Sequence, residues 1–153
     1  MSAIDERLAE LGITLPVVVP PLAVYVPAVV SGNLVYTSGQ LPMVEGVLPA
    51  TGKLGAAVSA EEGKELARQS ALNALAAVES VIGSLDRVTR IVKLVGYVAS
   101  DPSFTGQPGV INGASEVLGE IFGEAGVHAR SAVGVAVLPL NSPVELDLVV
   151  EFA

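Results

Sequence analysis

The chain has 153 residues, with 8 Lys and Arg against 16 Asp and Glu for a formal net charge of −8, one histidine, no cysteine and no tryptophan. The absence of cysteine excludes disulfide scaffolds, thiolate zinc sites, iron–sulfur clusters and cysteine nucleophiles. His128 is the sole imidazole and no dense carboxylate loop is present, so neither a metal nor a cofactor is expected.

Hydrophobic residues make up 51% of the chain and charged ones only 16%, against roughly 25% charged in an average soluble chain. Apolar surface left over after folding is most simply covered by other copies of the chain, so a homo-oligomer is expected. The basic residues are scattered. Arg87, Arg90 and Lys93 form the only local grouping, and without interleaved aromatics it reads as a solvated strand end rather than a nucleic-acid footprint. The start, Met1 to Arg7, is acidic and has no basic stretch followed by an apolar run, so no secretory signal is expected. Val17 to Val30 is the longest apolar stretch; it is broken by Pro20, Pro21 and Pro27 and falls short of the ~20 residues of a membrane span. A cytoplasmic protein without membrane contact is expected.

In chain order, Ile4, Leu8 and Leu11 lie at helical spacing between a capping Ser2 and a terminating Gly12, which predicts a short leading helix within a 1–15 extension to a domain over 16–153. Leu22 to Val30 and Leu34 to Ser38 are rich in Val and Tyr, and Ser31-Gly32-Asn33 joins them as a hairpin whose Gly and Asn supply positive φ. Met43 to Val58 has no period and reads as an ordered loop. Ser59 and Glu62 form a capping box that opens a helix with Leu66, Leu72, Leu75, Val78 and Ile82 on one stripe, ended by Gly83.

Val88 to Ala99, rich in β-branched residues, reads as a strand covered on both faces. A second helix is predicted from Pro108 to Phe122, then strands from Ser131 to Leu138 and from Val144 to Phe152. In the last strand Val144, Leu146, Leu148, Val150 and Phe152 alternate with Glu145, Asp147, Val149 and Glu151, one face apolar and the other mostly acidic. The order β-β-α-β-α-β-β predicts an α+β fold, with two helices on one face of a mixed sheet.

Polar groups set in apolar or glycine-rich strand ends are the candidates for chemistry. Arg130 begins a strand with no other charge through Leu140. Its planar fork calls for an anion, either a bound carboxylate or Glu145 or Asp147 on a neighbouring strand. Glu145 is either a solvated acidic residue or a carboxylate that orients or deprotonates water. Ser38 and Gly39 at a strand end either aim backbone N–H groups at a substrate oxygen or only turn the chain.

Gly32-Asn33-Leu34-Val35-Tyr36-Thr37-Ser38-Gly39-Gln40-Leu41-Pro42, the helix Ala67-Arg68-Gln69-Ser70-Ala71-Leu72-Asn73, Asn112, and Ala129-Arg130-Ser131-Ala132-Val133 followed by Leu138-Pro139 and the acidic last strand occur in this order over residues 20 to 152. Together they resemble the RidA/YjgF family of reactive-intermediate (enamine/imine) deaminases. The resemblance implies a chorismate-mutase-like fold, a homotrimer with clefts between adjacent subunits, and hydrolysis of 2-aminoacrylate-type enamines or imines to 2-oxo acids and ammonia without a cofactor. It gives Arg130 the carboxylate clamp and Glu145 the positioning of water, with Tyr25, Ser38, Gly39 and Asn112 lining the pocket. The chain departs from the family at Ala132, where typical members carry cysteine on the cleft wall, and at His128, where proline is common. His128 is then a loop histidine or a proton carrier. A non-catalytic binding protein for small carboxylates is the alternative of a different class, and ribonuclease or translation-inhibitor activity is a third that the negative net charge opposes.

Overall fold

The computed structural model describes residues 2–18 and 23–153. Helix α1 (Ala3–Glu10) opens with the reciprocal cap its sequence calls for, the Ser2 hydroxyl accepting from the Asp5 N–H while the Asp5 carboxylate accepts from the Ser2 N–H. It is held against the rest of the chain. Leu8 is buried, the Ile4 N–H donates to the Asp86 carboxylate at 2.9 Å, and the Arg7 Nε donates to the Glu120 carbonyl at 2.8 Å.

Strands β1 (Ala28–Ser31) and β2 (Leu34–Thr37) form the expected hairpin with Ser31 opposite Leu34. Only Gly32 takes a positive φ, +62°; Asn33 does not, the pattern of a turn with glycine at its first central position. The first strand is shorter than its composition suggests: Leu22 lies outside the described residues, and Ala23 to Pro27 run outside the ladder, where Pro27 has no N–H to give.

Helix α2 (Ala60–Ile82) starts at Ser59, whose hydroxyl accepts from the Glu62 N–H at 3.1 Å, and stops at Gly83, φ +88°. Strand β3 (Val88–Ala99), helix α3 (Gln107–Phe122) and strand β4 (Ala129–Val135) follow, then β5 (Val144–Phe152). Strand β4 begins two residues earlier and ends three earlier than its hydropathy suggests. The chain turns off over Pro139–Asn141, with Leu140 and Asn141 both at φ 59°.

The sheet order is β1-β2-β5-β3-β4, with β3 and β4 parallel and every other pair antiparallel. A parallel neighbour needs a crossover, and α3 supplies it. The mixed sheet carries α2 and α3 on one face, the α+β arrangement read from the sequence. Between sheet and helices lies the core, with Leu75, Ile111 and Leu118 from the helices meeting Val35, Ile91, Leu94, Leu146 and Leu148 from the strands, all at 1% exposure or less. Two glycines let α3 come close. A Cβ at Gly96 would stand 2.6 Å from the Ile111 Cδ1, and one at Gly113 would collide with the Lys64 carbonyl of α2.

The opposite face carries no helix. It presents Val29, Tyr36, Val149, Val95, Tyr97, Ser131 and Val133 along with Glu145, Asp147 and Glu151, as the register and the alternation of burial place them. Strand β3 is therefore covered on one side only within the chain, not on both as its composition predicts. Val29, Tyr36 and Val133 are 52%, 43% and 43% exposed.

Candidate functional site

Arg130 sits in β4 opposite Leu94 of β3, whose side chain is buried beneath the helices, so the arginine leaves the sheet on the helical side. There it lies along α3. Its Nη1 donates to the Ser115 hydroxyl at 3.1 Å and its Nη2 to the Pro108 carbonyl at 3.2 Å. Asn112, four residues after Pro108 and three before Ser115, falls on the same helical stripe. Ala132, two residues on and opposite Gly96, shares the face of Arg130 and packs against the core.

His128 is no free loop residue. Its Nδ1 lies 2.6 Å from the Gly126 carbonyl and its Nε2 2.9 Å from the Ser115 hydroxyl, which ties the ring to the same serine that Arg130 uses.

The carboxylates lie elsewhere. Glu145 is opposite Tyr97 and projects between the buried Val144 and Leu146 onto the face without helices, with Asp147 beside it. A Cβ at Gly39 would stand 2.9 Å from the Glu145 carboxyl carbon, so the absence of a side chain there makes the space the carboxylate occupies. Burial pushes the Glu145 carboxyl above its ordinary range, and the Asp147 charge adds to this. Burial raises Asp147 as well, against a long 3.5 Å hydrogen bond donated by the Tyr97 hydroxyl. Tyr97 is raised by burial and then by its two acidic neighbours.

Ser38 does not aim its groups outward. Its hydroxyl donates to the Val26 carbonyl at 2.6 Å and its N–H to the Pro27 carbonyl at 2.8 Å, fastening the segment that carries the exposed Tyr25 to the end of β2. The Gly39 N–H has no partner among the described residues.

An internal ion pair of Arg130 with Glu145 or Asp147 is ruled out by topology. Strand β3 lies between β4 and β5, and the cation and the carboxylates leave the sheet on opposite faces. Among the described residues the ion pairs are Arg7–Glu10 and Lys64–Glu116. Arg130 is thus held by neutral acceptors, with its charge unmatched. The structure separates the predicted residues into two groups: Arg130, Asn112 and Ala132 on one side of the sheet, Ser38, Gly39 and Glu145 on the other, with Tyr25 tied to the second through Ser38.

The fold that carries these two groups has close counterparts among known proteins. A family model described as "YjgF/chorismate_mutase-like, putative endoribonuclease" matches residues 5–153. The chain belongs to the YjgF/RidA family. Similar to this YjgF/RidA chain is protein TCP17 of Trypanosoma cruzi, 47% identical over 149 residues, which are 97% of this chain and 93% of that protein. Among solved structures, protein Atu1372 from Agrobacterium tumefaciens, of unknown function, is 48% identical with a TM-score of 0.92, covering 98% of this chain and 92% of that one. A protein from Shewanella oneidensis MR-1, described as an endoribonuclease in the same terms as the family, is 37% identical with a TM-score of 0.94 over 99% of this chain and all of that one. The YjgF/chorismate-mutase-like fold is therefore common to them.

Two members of the site lay outside the sequence reading. Ser115 could have been found from its helical spacing to Asn112 once Arg130 was placed above α3. Tyr97 stands out in the sequence as a polar residue in an apolar strand, but its place opposite Glu145 comes from the pairing of β3 with β5.

Proposed function

We propose that the chain hydrolyses small enamine or imine carboxylates of the 2-aminoacrylate type to 2-oxo acids and ammonia, in clefts between the copies of a homotrimer. The observation that carries this is the state of Arg130: a guanidinium anchored by a hydroxyl and a carbonyl, partly exposed, with no carboxylate among the described residues to neutralise it. Such a cation binds an incoming carboxylate through two parallel, charge-assisted hydrogen bonds. Glu145, raised above the ordinary carboxylate range by burial and by the Asp147 charge, is a stronger base than a free carboxylate and is suited to take a proton from water. Because these two groups leave one sheet on opposite faces, a single copy cannot bring both to one small substrate. A second copy seated on the face without helices supplies the missing half.

In the proposed reaction the Arg130 guanidinium fixes the substrate carboxylate; an enamine first becomes the imine by gaining a proton from water at its methylene carbon and losing one from nitrogen, and Glu145 then takes a proton from a water whose oxygen attacks the imine carbon. The carbinolamine then expels its nitrogen, which leaves as ammonia with the protons returned, and the carbonyl of the 2-oxo acid forms. Neither a metal nor a protein nucleophile is required by this sequence of bonds. Steering of RNA is disfavoured by the net charge of −8 and by the commitment of Arg87, one of the three grouped basic residues, to the carbonyls of Ala153 and Ile82.

The test couples a serine or threonine dehydratase, as the enamine source, to continuous assay of 2-oxo acid. The chain is expected to accelerate product appearance, Arg130→Ala to remove the acceleration, and Glu145→Gln to lower kcat by about 10²-fold or more. Equal acceleration by Arg130→Ala overturns the proposal. Thermal stabilisation by pyruvate without any turnover assigns the cleft to carboxylate binding alone.

A further inference from the structure

We propose that Ser115 and His128 are positioning residues that lock the Arg130 guanidinium in one orientation while leaving its charge free for an incoming carboxylate. The inference rests on the clamp role of Arg130 and adds what holds the clamp.

The polarity of the chain of contacts follows from chemistry alone. A carbonyl can only accept, so the Nδ1 of His128, 2.6 Å from the Gly126 oxygen, carries a proton. In the neutral ring the Nε2 is then an acceptor, and the Ser115 hydroxyl 2.9 Å away donates to it. With its hydrogen committed to His128, the Ser115 oxygen turns a lone pair to the Arg130 Nη1 at 3.1 Å. With the ring neutral, every group in the series is satisfied in one direction only.

Ser115 and Pro108 are seven residues apart, two turns of α3, so they face the same way along the helix. The guanidinium is held at both Nη atoms, which fixes its plane as well as its position. Of its five N–H donors two are used; three remain, and a bidentate carboxylate needs two. The chemical type of the anchor matters here. An aspartate at position 115 would hold the arginine equally well but would neutralise it and compete with the ligand. A hydroxyl holds without neutralising, and the imidazole keeps that hydroxyl from rotating its own hydrogen toward the cation.

The probe is pyruvate, titrated calorimetrically into the intact chain, with pyruvamide as the analogue lacking a carboxylate. Ser115→Ala and His128→Phe are each expected to raise the Kd for pyruvate about five-fold, the worth of one hydrogen bond, without moving that for pyruvamide. Ser115→Thr, which keeps the hydroxyl, recovers most of the affinity. Ser115→Asp abolishes pyruvate binding while the circular-dichroism spectrum stays that of the parent. The double variant Ser115→Ala/His128→Phe is no weaker than Ser115→Ala alone, since both break one chain of contacts. In turnover the single variants raise KM with kcat little changed, and nitrogen NMR of the unliganded chain finds His128 as the Nδ1–H tautomer.

Wild-type affinity in Ser115→Ala and His128→Phe, with binding lost in Arg130→Ala, overturns the positioning role and leaves the clamp standing. Undiminished binding by Arg130→Ala, or no pyruvate binding by the parent chain, removes the clamp and the positioning role together. An Nε2–H tautomer, or pyruvate binding retained by Ser115→Asp, also overturns the positioning role.

Discussion

At position 39 the missing side chain matters more than any freedom of the backbone. Its φ is ordinary, yet a methyl group there would stand 2.9 Å from the carboxyl carbon of Glu145 and 3.1 Å from its nearer oxygen. Gly39→Ala is expected to push the Glu145 carboxylate aside and lower kcat by roughly ten- to a hundred-fold, with KM and melting temperature little altered, since misplacing one catalytic group is costly and the core is untouched. Steady-state kinetics beside a thermal melt check this; an unaltered kcat would mean that the carboxylate has no role.

Asp147 sets the second expectation at this scale. Its charge raises Glu145, although less than burial does. Asp147→Asn removes the like charge, so the Glu145 carboxyl falls toward its ordinary range and the acid limb of the kcat/KM profile moves to lower pH. A shift to higher pH would contradict the assigned coupling. The sign for stability runs the same way. Glu145 and Asp147 are both held above their unfolded values, so the folded chain binds more protons than the unfolded chain across that interval. Their contribution is complete below about pH 4, the ordinary carboxylate range, and is lost as pH rises through the raised values. Asp147→Asn should therefore melt later than the parent at pH 7 and together with it near pH 3.5.

Among the elements, α3 carries the most consequence. It is the crossover that makes β4 a parallel neighbour of β3, it supplies Ser115 and the Pro108 carbonyl to Arg130, and it rests on two glycine contacts. Gly113→Ala forces α3 away from the α2 backbone at the Lys64 carbonyl. A stability loss of about 1–3 kcal/mol is expected from such overpacking, measurable by urea denaturation, together with weaker carboxylate binding because the anchors of Arg130 shift with the helix. Neutral behaviour of Gly113→Ala would mean that the helices slide at no cost. The hairpin shows the complementary case: Ser38 uses its hydroxyl and its N–H to hold the Val26 and Pro27 carbonyls, so the serine of the strand end fastens the chain that enters β1.

For the whole molecule, the sheet face without helices is the main unsatisfied feature. Valines and tyrosines of the flanking strands stand there on either side of the Glu145, Asp147 and Glu151 carboxylates of the central β5, exposed apolar surface of the kind that marks association sites. Light scattering of the intact chain is expected to give three times the chain mass. Val133→Glu places a charge on the β4 edge of that face, where the valine is 43% exposed, and is expected to yield single copies with unchanged secondary structure and no deaminase activity. Persistence of the trimer in Val133→Glu would place the contact elsewhere.

Much of this was legible in the residues. The capped stripe of α2, the length of β3 and the strict alternation of β5 are local patterns, and the helix and strands stand where those patterns put them. The G-N-L-V-Y-T-S-G-Q-L-P and A-R-S segments together point to the family without any tertiary contact. What only the tertiary structure decided is which side chains meet. A strand's alternation tells which residues share a face, but not which neighbour lies beside it. Placing β5 between β2 and β3 is a long-range pairing with no local signature, and it is this pairing that puts Arg130 and Glu145 on opposite faces. The His128–Ser115 hydrogen bond has the same origin, joining a loop to the middle of α3 by packing, whereas the bond from His128 to the Gly126 carbonyl is local.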